Sequence, residues 1–222
     1  MTVRPRRKPN YGSSVFINCP FDEEYRPLFR ALVFSIEACA FAPRCALEVA
    51  DAGETRAEKL VRLIRESRYG IHDISRTELN EEGLPRFNMP YEFGIFIGLK
   101  YSDAHRQKQK SALVLDREPF RYQRFLSDVA GQDIRSHGGD PKEIIRQVRH
   151  WLQSQVSRNI LGATRLIEDH GRFLKDIPEF LAAIGKTPDD LDNYRDFHRL
   201  VCNWVDHTYN RPPQEFRNAE PH

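Results

Sequence analysis

The sequence predicts an α/β fold, a parallel sheet covered by helices on both faces over about residues 13–155, followed by a region of helices alone. Three observations predict it. Short apolar runs of strand type alternate with stretches of helical periodicity. The spacers between these runs are long enough to hold the crossover helices that parallel strands require. Most of the runs are apolar throughout rather than alternating, as strands buried on both faces are.

Taken in order, Ser14-Val15-Phe16-Ile17-Asn18 reads as the first strand, ended by Cys19-Pro20. Asp22 is the expected N-cap of the next helix, whose Leu28, Leu32 and Ile36 repeat at one face. Ala46-Leu47-Glu48-Val49 reads as a weaker second strand. Thr55 and Glu58 form a T-x-x-E capping box ahead of a helix with Leu60, Leu63 and Ile64 on its apolar stripe. Tyr69 to Ile74 is the third strand, and a polar insertion from Arg76 to Arg86 follows. Asn88-Met89-Pro90 opens a helix at Tyr91 that is apolar on every side through Leu99. Ser111 to Asp116 has a buried-strand pattern, and Gln132 to Arg135 reads as a short edge strand. Asp140-Pro141, an N-cap with Pro at the first helical position, starts a helix carrying Ile144, Ile145, Val148 and Trp151. From Ser157 only helical patterns remain: Thr187-Pro188-Asp189-Asp190 is a second cap, followed by Leu191, Tyr194, His198, Val201 and Val205. The organisation expected is a basic tail over 1–12, the α/β domain over 13–155, a helical region over 156–209 and a flexible tail over 210–222.

Composition narrows the function classes. The chain has 222 residues with 34 Lys and Arg against 32 Asp and Glu, and 30% of it is charged. Its mean hydropathy is −0.63. No apolar stretch approaches the ~20 residues a membrane helix needs, so no membrane association is expected. Arg4, Arg6, Arg7 and Lys8 make the first twelve residues +4, which leaves −2 for the rest. The folded part therefore has no charge excess for phosphate backbones, and a nucleic-acid partner is not expected. The tail lacks the apolar segment of a signal peptide. Cys19, Cys39, Cys45 and Cys202 show no zinc-ligand spacing, so no metal site is expected; they read as reduced thiols of a cytoplasmic protein.

In an open parallel sheet the ligand crevice lies beyond the C-terminal strand ends. The loops there are Asn18-Cys19-Pro20-Phe21-Asp22, Asp51-Ala52-Gly53-Glu54, Asp73-Ile74-Ser75-Arg76 and the turn into Tyr91-Glu92. Neither a G-x-G-x-x-G nor a P-loop motif is present. Glu92 is the most informative residue, the single charge in the first turn of an apolar helix. It reads either as a complement to the helix dipole or as a carboxylate aimed into the crevice, suited to stabilising a cation-like sugar. Asp73 reads as an Asx turn or as an acceptor for ribose hydroxyls. His72 is expected to be a packed or surface histidine, and Arg76 and Arg86 are solvated loop arginines or phosphate contacts. Cys19 has no assignable base partner for nucleophilic work. Gly94 and Gly98 are expected to let their helix approach a neighbouring backbone.

Together these segments resemble the bacterial TIR-like and nucleoside 2-deoxyribosyltransferase-like families, which share a flavodoxin-like sheet. "VFINCPFDEEY" is similar to the strand–Pro–Phe opening of the deoxyribosyltransferase group. "RAEKLVRLIRESRYGIHDIS" resembles the shared helix, strand and Asp-x-Ser/Thr element, and "NMPYEFGIFIGL" resembles the helix that carries the catalytic Glu. "SDVAGQDIRSH" resembles the late segment of TIR-like proteins. The resemblance covers about residues 14–155. It implies Glu92 as catalytic carboxylate and Asp73 as a second site residue on the sugar. It further implies a base or ribose pocket lined by Asn18, Cys19, Pro20 and Phe21; Asp22, Ser75, Arg76, Asn88 and Tyr91, on the crevice loops, are further candidate substrate contacts. The Arg76–Arg86 insertion, Phe93 and Phe96 depart from the pattern and alter the expected pocket size.

The chemistry common to both families is cleavage of an N-glycosidic bond at ribose C1′. In NAD+ the leaving nicotinamide is already cationic and departs neutral, so one placed carboxylate suffices, whereas a purine base wants a general acid as well. With one outstanding carboxylate, the favoured reading is an NAD+ nucleosidase, with NAD as substrate and no cofactor; the resemblance further implies a defence effector activated by assembly. The alternatives are a nucleoside or nucleotide N-glycosidase or 2-deoxyribosyltransferase, and a non-catalytic nucleotide-sensing or protein-interaction module. The helices after residue 156 would serve self-association or a regulator protein.

Overall fold

The structure, a computed structural model, describes residues 9–48, 53–77, 83, 86–129 and 131–209. Five strands form one all-parallel sheet: β1 (Ser14–Asn18), β2 (Ala42–Arg44), β3 (Tyr69–Asp73), β4 (Ser111–Asp116) and β5 (Ile134–Ser136). Their order is β2-β1-β3-β4-β5, the flavodoxin-like order, with the expected helices on both faces and a C-terminal helical region. Helices α1 (Arg26–Ala38) and α4 (Pro141–Gln155) pack together on one face, and α2 (Arg56–Glu66) and α3 (Asn88–Lys100) on the other.

The alternation of side chains along β1 and β3 sets what each face holds. Phe16 joins Leu60, Leu63, Ile64 of α2 and Phe96 of α3 in one buried cluster. Met89 and Phe93 of α3 meet Ile74, Val114, Tyr122 and Val129 in a second. On the opposite face the ring of Tyr69 meets Trp151 of α4 edge-on at 5.9 Å. Gly70 has no room for a side chain, because a Cβ there would lie 2.6 Å from His72 Nε2 and 2.7 Å from the Phe96 ring.

The second strand is not Ala46–Val49. Ala46–Glu48 is a 3-10 turn, Val49 lies outside the described residues, and β2 is Ala42-Pro43-Arg44, paired only with β1. An edge strand tolerates Pro43 because one side of its backbone has no ladder to complete. Asp22 does not cap α1. Its carboxylate instead accepts from the Tyr25 N–H at 3.0 Å, Tyr25 is the N-cap, and Pro27 sits in the first turn. The Thr55–Glu58 capping box is present. The box at Thr187 opens a 3-10 turn, Pro188–Asp192, rather than α6 (Tyr194–Tyr209).

Gly94 and Gly98 face open space, with no atom of another described element within 4 Å of a Cβ built on either, so they serve no close backbone approach within the single chain. Gly94→Ala should therefore raise stability by about 0.5–1 kcal/mol through helix propensity alone. A higher urea midpoint checks this, and a lower one would restore the close-approach reading.

The chain divides into two compact units, Met1–Gly171 and Arg172–His222, with the boundary inside α5 (Ala163–Ala183). In the first unit the early turns of α5 stay with the α/β fold: Leu166 and Asp169 are buried, and His170 meets the Phe34 ring of α1 at 5.1 Å. In the second, Phe173 packs against Phe197 and Trp204, and the Trp204 indole N–H donates to Asp176 at 2.8 Å. Among the described residues no helix is long and apolar enough to cross a membrane. Residues 1–8 of the tail expected over 1–12 and the tail expected over 210–222 lie outside the described residues, as do Asp51, Ala52 and most of the Arg76–Arg86 insertion. Tyr11, at the end of the first, is buried and its hydroxyl donates to the Arg106 carbonyl, so it belongs to the fold.

Candidate active site

The chain steps from β1 outward to β2 and then back across to β3, so the topological switch point lies between the C-terminal ends of β1 and β3. Asn18 and Asp73 end those two strands. Asn18 acts as a tie. Its amide donates to the Met89 carbonyl of α3 at 2.8 Å, and it contacts His72 Nδ1 at 3.0 Å. That tie fixes the first turn of α3 over the switch point.

Glu92 sits one turn further along, in the second turn of α3 and not the first, because the helix begins at Asn88. Pro90 is accommodated in the first turn, where no intrahelical N–H bond is lost. The dipole reading of Glu92 therefore loses its basis, since the effect is confined to the first turn. Glu92 shares the inner face of α3 with Met89, Phe93 and Phe96 and is only 6% exposed. Among the described residues it has no hydrogen bond or ion pair, and burial raises its pKa to about 7, with the Arg56 charge opposing. A buried carboxylate with no protein partner is costly unless something else complements it.

Asp73 is placed differently. It is fully buried and already surrounded by protein donors: the Tyr25 hydroxyl donates to Oδ2 and the Ser75 N–H to Oδ1 at 2.9 Å. The Ser75 bond is the Asx turn that local sequence suggests. His137, beyond β5, places Nε2 3.1 Å from Asp73 Oδ2, off the line of a strong hydrogen bond. Its Nδ1 accepts from the Gly139 N–H at 3.0 Å, which leaves Nε2 to carry the ring proton. Asp73 thus organises the floor of the crevice from the α1/α4 side, while Glu92 hangs from α3 on the other.

The remaining residues fall into three groups. Cys19 and Pro20 are buried beside the strand ends. Burial first, then the charges of Asp73 and Glu92, push the Cys19 thiol well up, which removes it as a nucleophile. Phe21 packs against the cluster that holds Phe96 and meets Phe29 edge-on at 5.3 Å. Asp22 holds Arg76 at 2.8 Å and Arg86 at 3.1 Å, and Arg76 also reaches Glu24 at 2.9 Å, forming a half-exposed rim. Asn88 and Tyr91 are exposed and are not gathered with the buried groups. His72 is packed as expected, between Phe93 and Phe96, with its pKa driven down to about 3 by burial and by Lys110.

No family model, curated protein or solved structure matches this chain. Its chemistry has to be argued from these side chains. Sequence reasoning missed four of them: Tyr25, His137, Asp116 and Arg121. Asp116 ends β4 as Asp73 ends β3, and that parallel was the available signal. Its Oδ1 accepts from Arg121 Nε and Nη2 at 2.9 and 2.7 Å. Arg121 also donates to the Ser75 carbonyl at 2.6 Å and to the Thr77 hydroxyl at 3.0 Å, which locks the loop after β3. The Oδ2 of Asp116 is buried and has no hydrogen-bond partner among the described residues.

Proposed function

We propose that the chain is an NAD+ nucleosidase in which Glu92 is the catalytic carboxylate. The observation that carries this reading is the buried, uncompensated state of Glu92 at the switch point, beside strand ends fixed by Asn18 and Asp73. A carboxylate in that setting is complemented by a cation, and the reacting centre of NAD+ is cationic throughout. The bond from ribose C1′ to the pyridinium nitrogen breaks, and its electron pair neutralises the departing nicotinamide. The positive charge passes to an oxocarbenium ion, which the Glu92 carboxylate stabilises in a low-dielectric site. Water then adds at C1′ and releases a proton, giving ADP-ribose. Arg76 and Arg86 at the rim are the groups suited to the pyrophosphate. Asp73 contributes by holding the crevice floor.

One observation favours a second reading. A carboxyl group titrating near 7 is protonated half the time at neutral pH, as a general acid for a neutral purine leaving group would need to be. Nucleoside or nucleotide N-glycosidic cleavage is therefore the alternative substrate class for the same residue. The four cysteines, all buried and none in a disulfide, support a cytoplasmic setting, and a defence role rests on the resemblance alone. The test is nicotinamide release from NAD+ by concentrated protein, wild type beside Glu92→Gln. Base release from nucleosides with none from NAD+ supports the second reading, and no release from either leaves a binding module.

A further inference from the structure

Helix α3 is apolar on all sides, as a wholly buried helix would be, yet one side of it is open. Phe87 at its N-cap, Tyr91 and Tyr101 are 66%, 63% and 78% exposed, and Gly94 and Gly98 between them are exposed too. Ile95, Ile97 and Leu99 flank this strip half-buried. The single acid of the helix, Glu92, points inward, so the open face carries no charge between Tyr91 and Leu99.

The order of residues on that face is symmetric about Phe96. Tyr91 answers Tyr101, Gly94 answers Gly98 and Ile95 answers Ile97. Two antiparallel helices related by a two-fold axis place each residue level with the one equally far on the other side of the axis. An axis at the height of Phe96 sets Gly94 level with Gly98 of the partner subunit and Tyr91 level with Tyr101 of the partner subunit. The backbones can then meet closely at the glycines, where a Cβ position has nothing within 4 Å in the single chain, while tyrosines clasp both ends. Opposed helix dipoles favour the antiparallel sense.

We propose that the open face of α3 is the interface of an antiparallel two-fold homodimer, with Gly94 and Gly98 at the crossing. A thirteen-residue helix is about 20 Å long, so the seam is small and the dimer forms in the micromolar range or above. The proposal does not depend on what reaction the crevice performs.

The test uses the full chain across a concentration series in sedimentation velocity, with circular dichroism as a check on fold. Wild type should pass from monomer to dimer, and Gly94→Arg and Gly98→Arg should each weaken that dimer at least about tenfold. All four native cysteines are buried, so engineered thiols can be read against a quiet background. A mixture of Gly94→Cys chains with Gly98→Cys chains should form an oxidised cross-linked dimer, and each variant alone should form far less. Wild type that stays monomeric throughout overturns the proposal, as does a dimer indifferent to both arginines. Cross-linking confined to the single variants overturns it as well, since that is the parallel arrangement.

Discussion

Glu92→Gln should abolish nicotinamide release, by a hundredfold at least and on the order of a thousandfold, the scale on which one preorganised electrostatic contact acts. The amide fills the same space in α3 and removes only the charge that would face the oxocarbenium ion. Because the reaction needs the ionised carboxylate and burial holds its pKa near 7, kcat/KM for NAD+ should rise as pH climbs through about 7 and level off above it. The profile separates the two substrate classes. A general-acid role on a neutral nucleoside needs the protonated form, so that activity should fall over the same interval. Equal nicotinamide release by wild type and Glu92→Gln would remove this residue from the mechanism.

The same substitution should stabilise the fold, with a sign fixed by linkage. The carboxyl of Glu92 titrates at about 7 in the folded chain against an ordinary value of 4.5, so between those pH values the folded state binds the extra proton. The resulting stability is fully present below 4.5 and is lost as pH rises through 7. Above that, wild type carries a buried charge that costs about 3 kcal/mol at 1.4 kcal/mol per pH unit. Gln has no such slope. Urea unfolding should find Glu92→Gln close to wild type at pH 5 and markedly more stable at pH 8. A residue whose removal costs activity and gains stability is doing chemical rather than structural work.

How much of this was legible in the sequence depended on the range of the interaction. The runs Ser14–Asn18 and Ser111–Asp116 became β1 and β4 without a shift, because strands buried on both faces advertise themselves by continuous apolarity. β2 was misread because its neighbour Ala46–Val49 is more apolar than Ala42-Pro43-Arg44, and an edge pairing on one backbone side needs little side-chain support. Glu92 stood out as a charge in an apolar helix, but its place in that helix did not, since proline is tolerated in a first turn. For Asp73 the local half of its role, the Asx turn to Ser75, was readable. Its partners Tyr25 and His137 were not, because they arrive from opposite ends of the α/β unit and leave no periodic or short-range trace.

Asp73→Ala should be the most destabilising single change at the crevice, about 3–5 kcal/mol, because removing a buried acceptor orphans every donor aimed at it. The Tyr25 hydroxyl, the Ser75 N–H and the His137 ring all face that carboxylate in a region closed to water. With a urea dependence of about 2 kcal/mol per molar, the midpoint should drop by roughly 2 M. Asp73→Asn keeps one oxygen for Ser75 or Tyr25 and turns a donor towards the other side, so its loss should be smaller. Tyr25→Phe should cost about 1–2 kcal/mol in the wild-type background and much less beside Asp73→Ala, since the partner is already gone. This cycle decides between two roles. Strong coupling, with nicotinamide release falling only as far as the loss of folded protein, makes Asp73 the positioning residue described here. A stable Asp73→Asn protein that no longer cleaves NAD+ would instead return Asp73 to the sugar and require the Tyr25 side of the crevice to open when substrate binds.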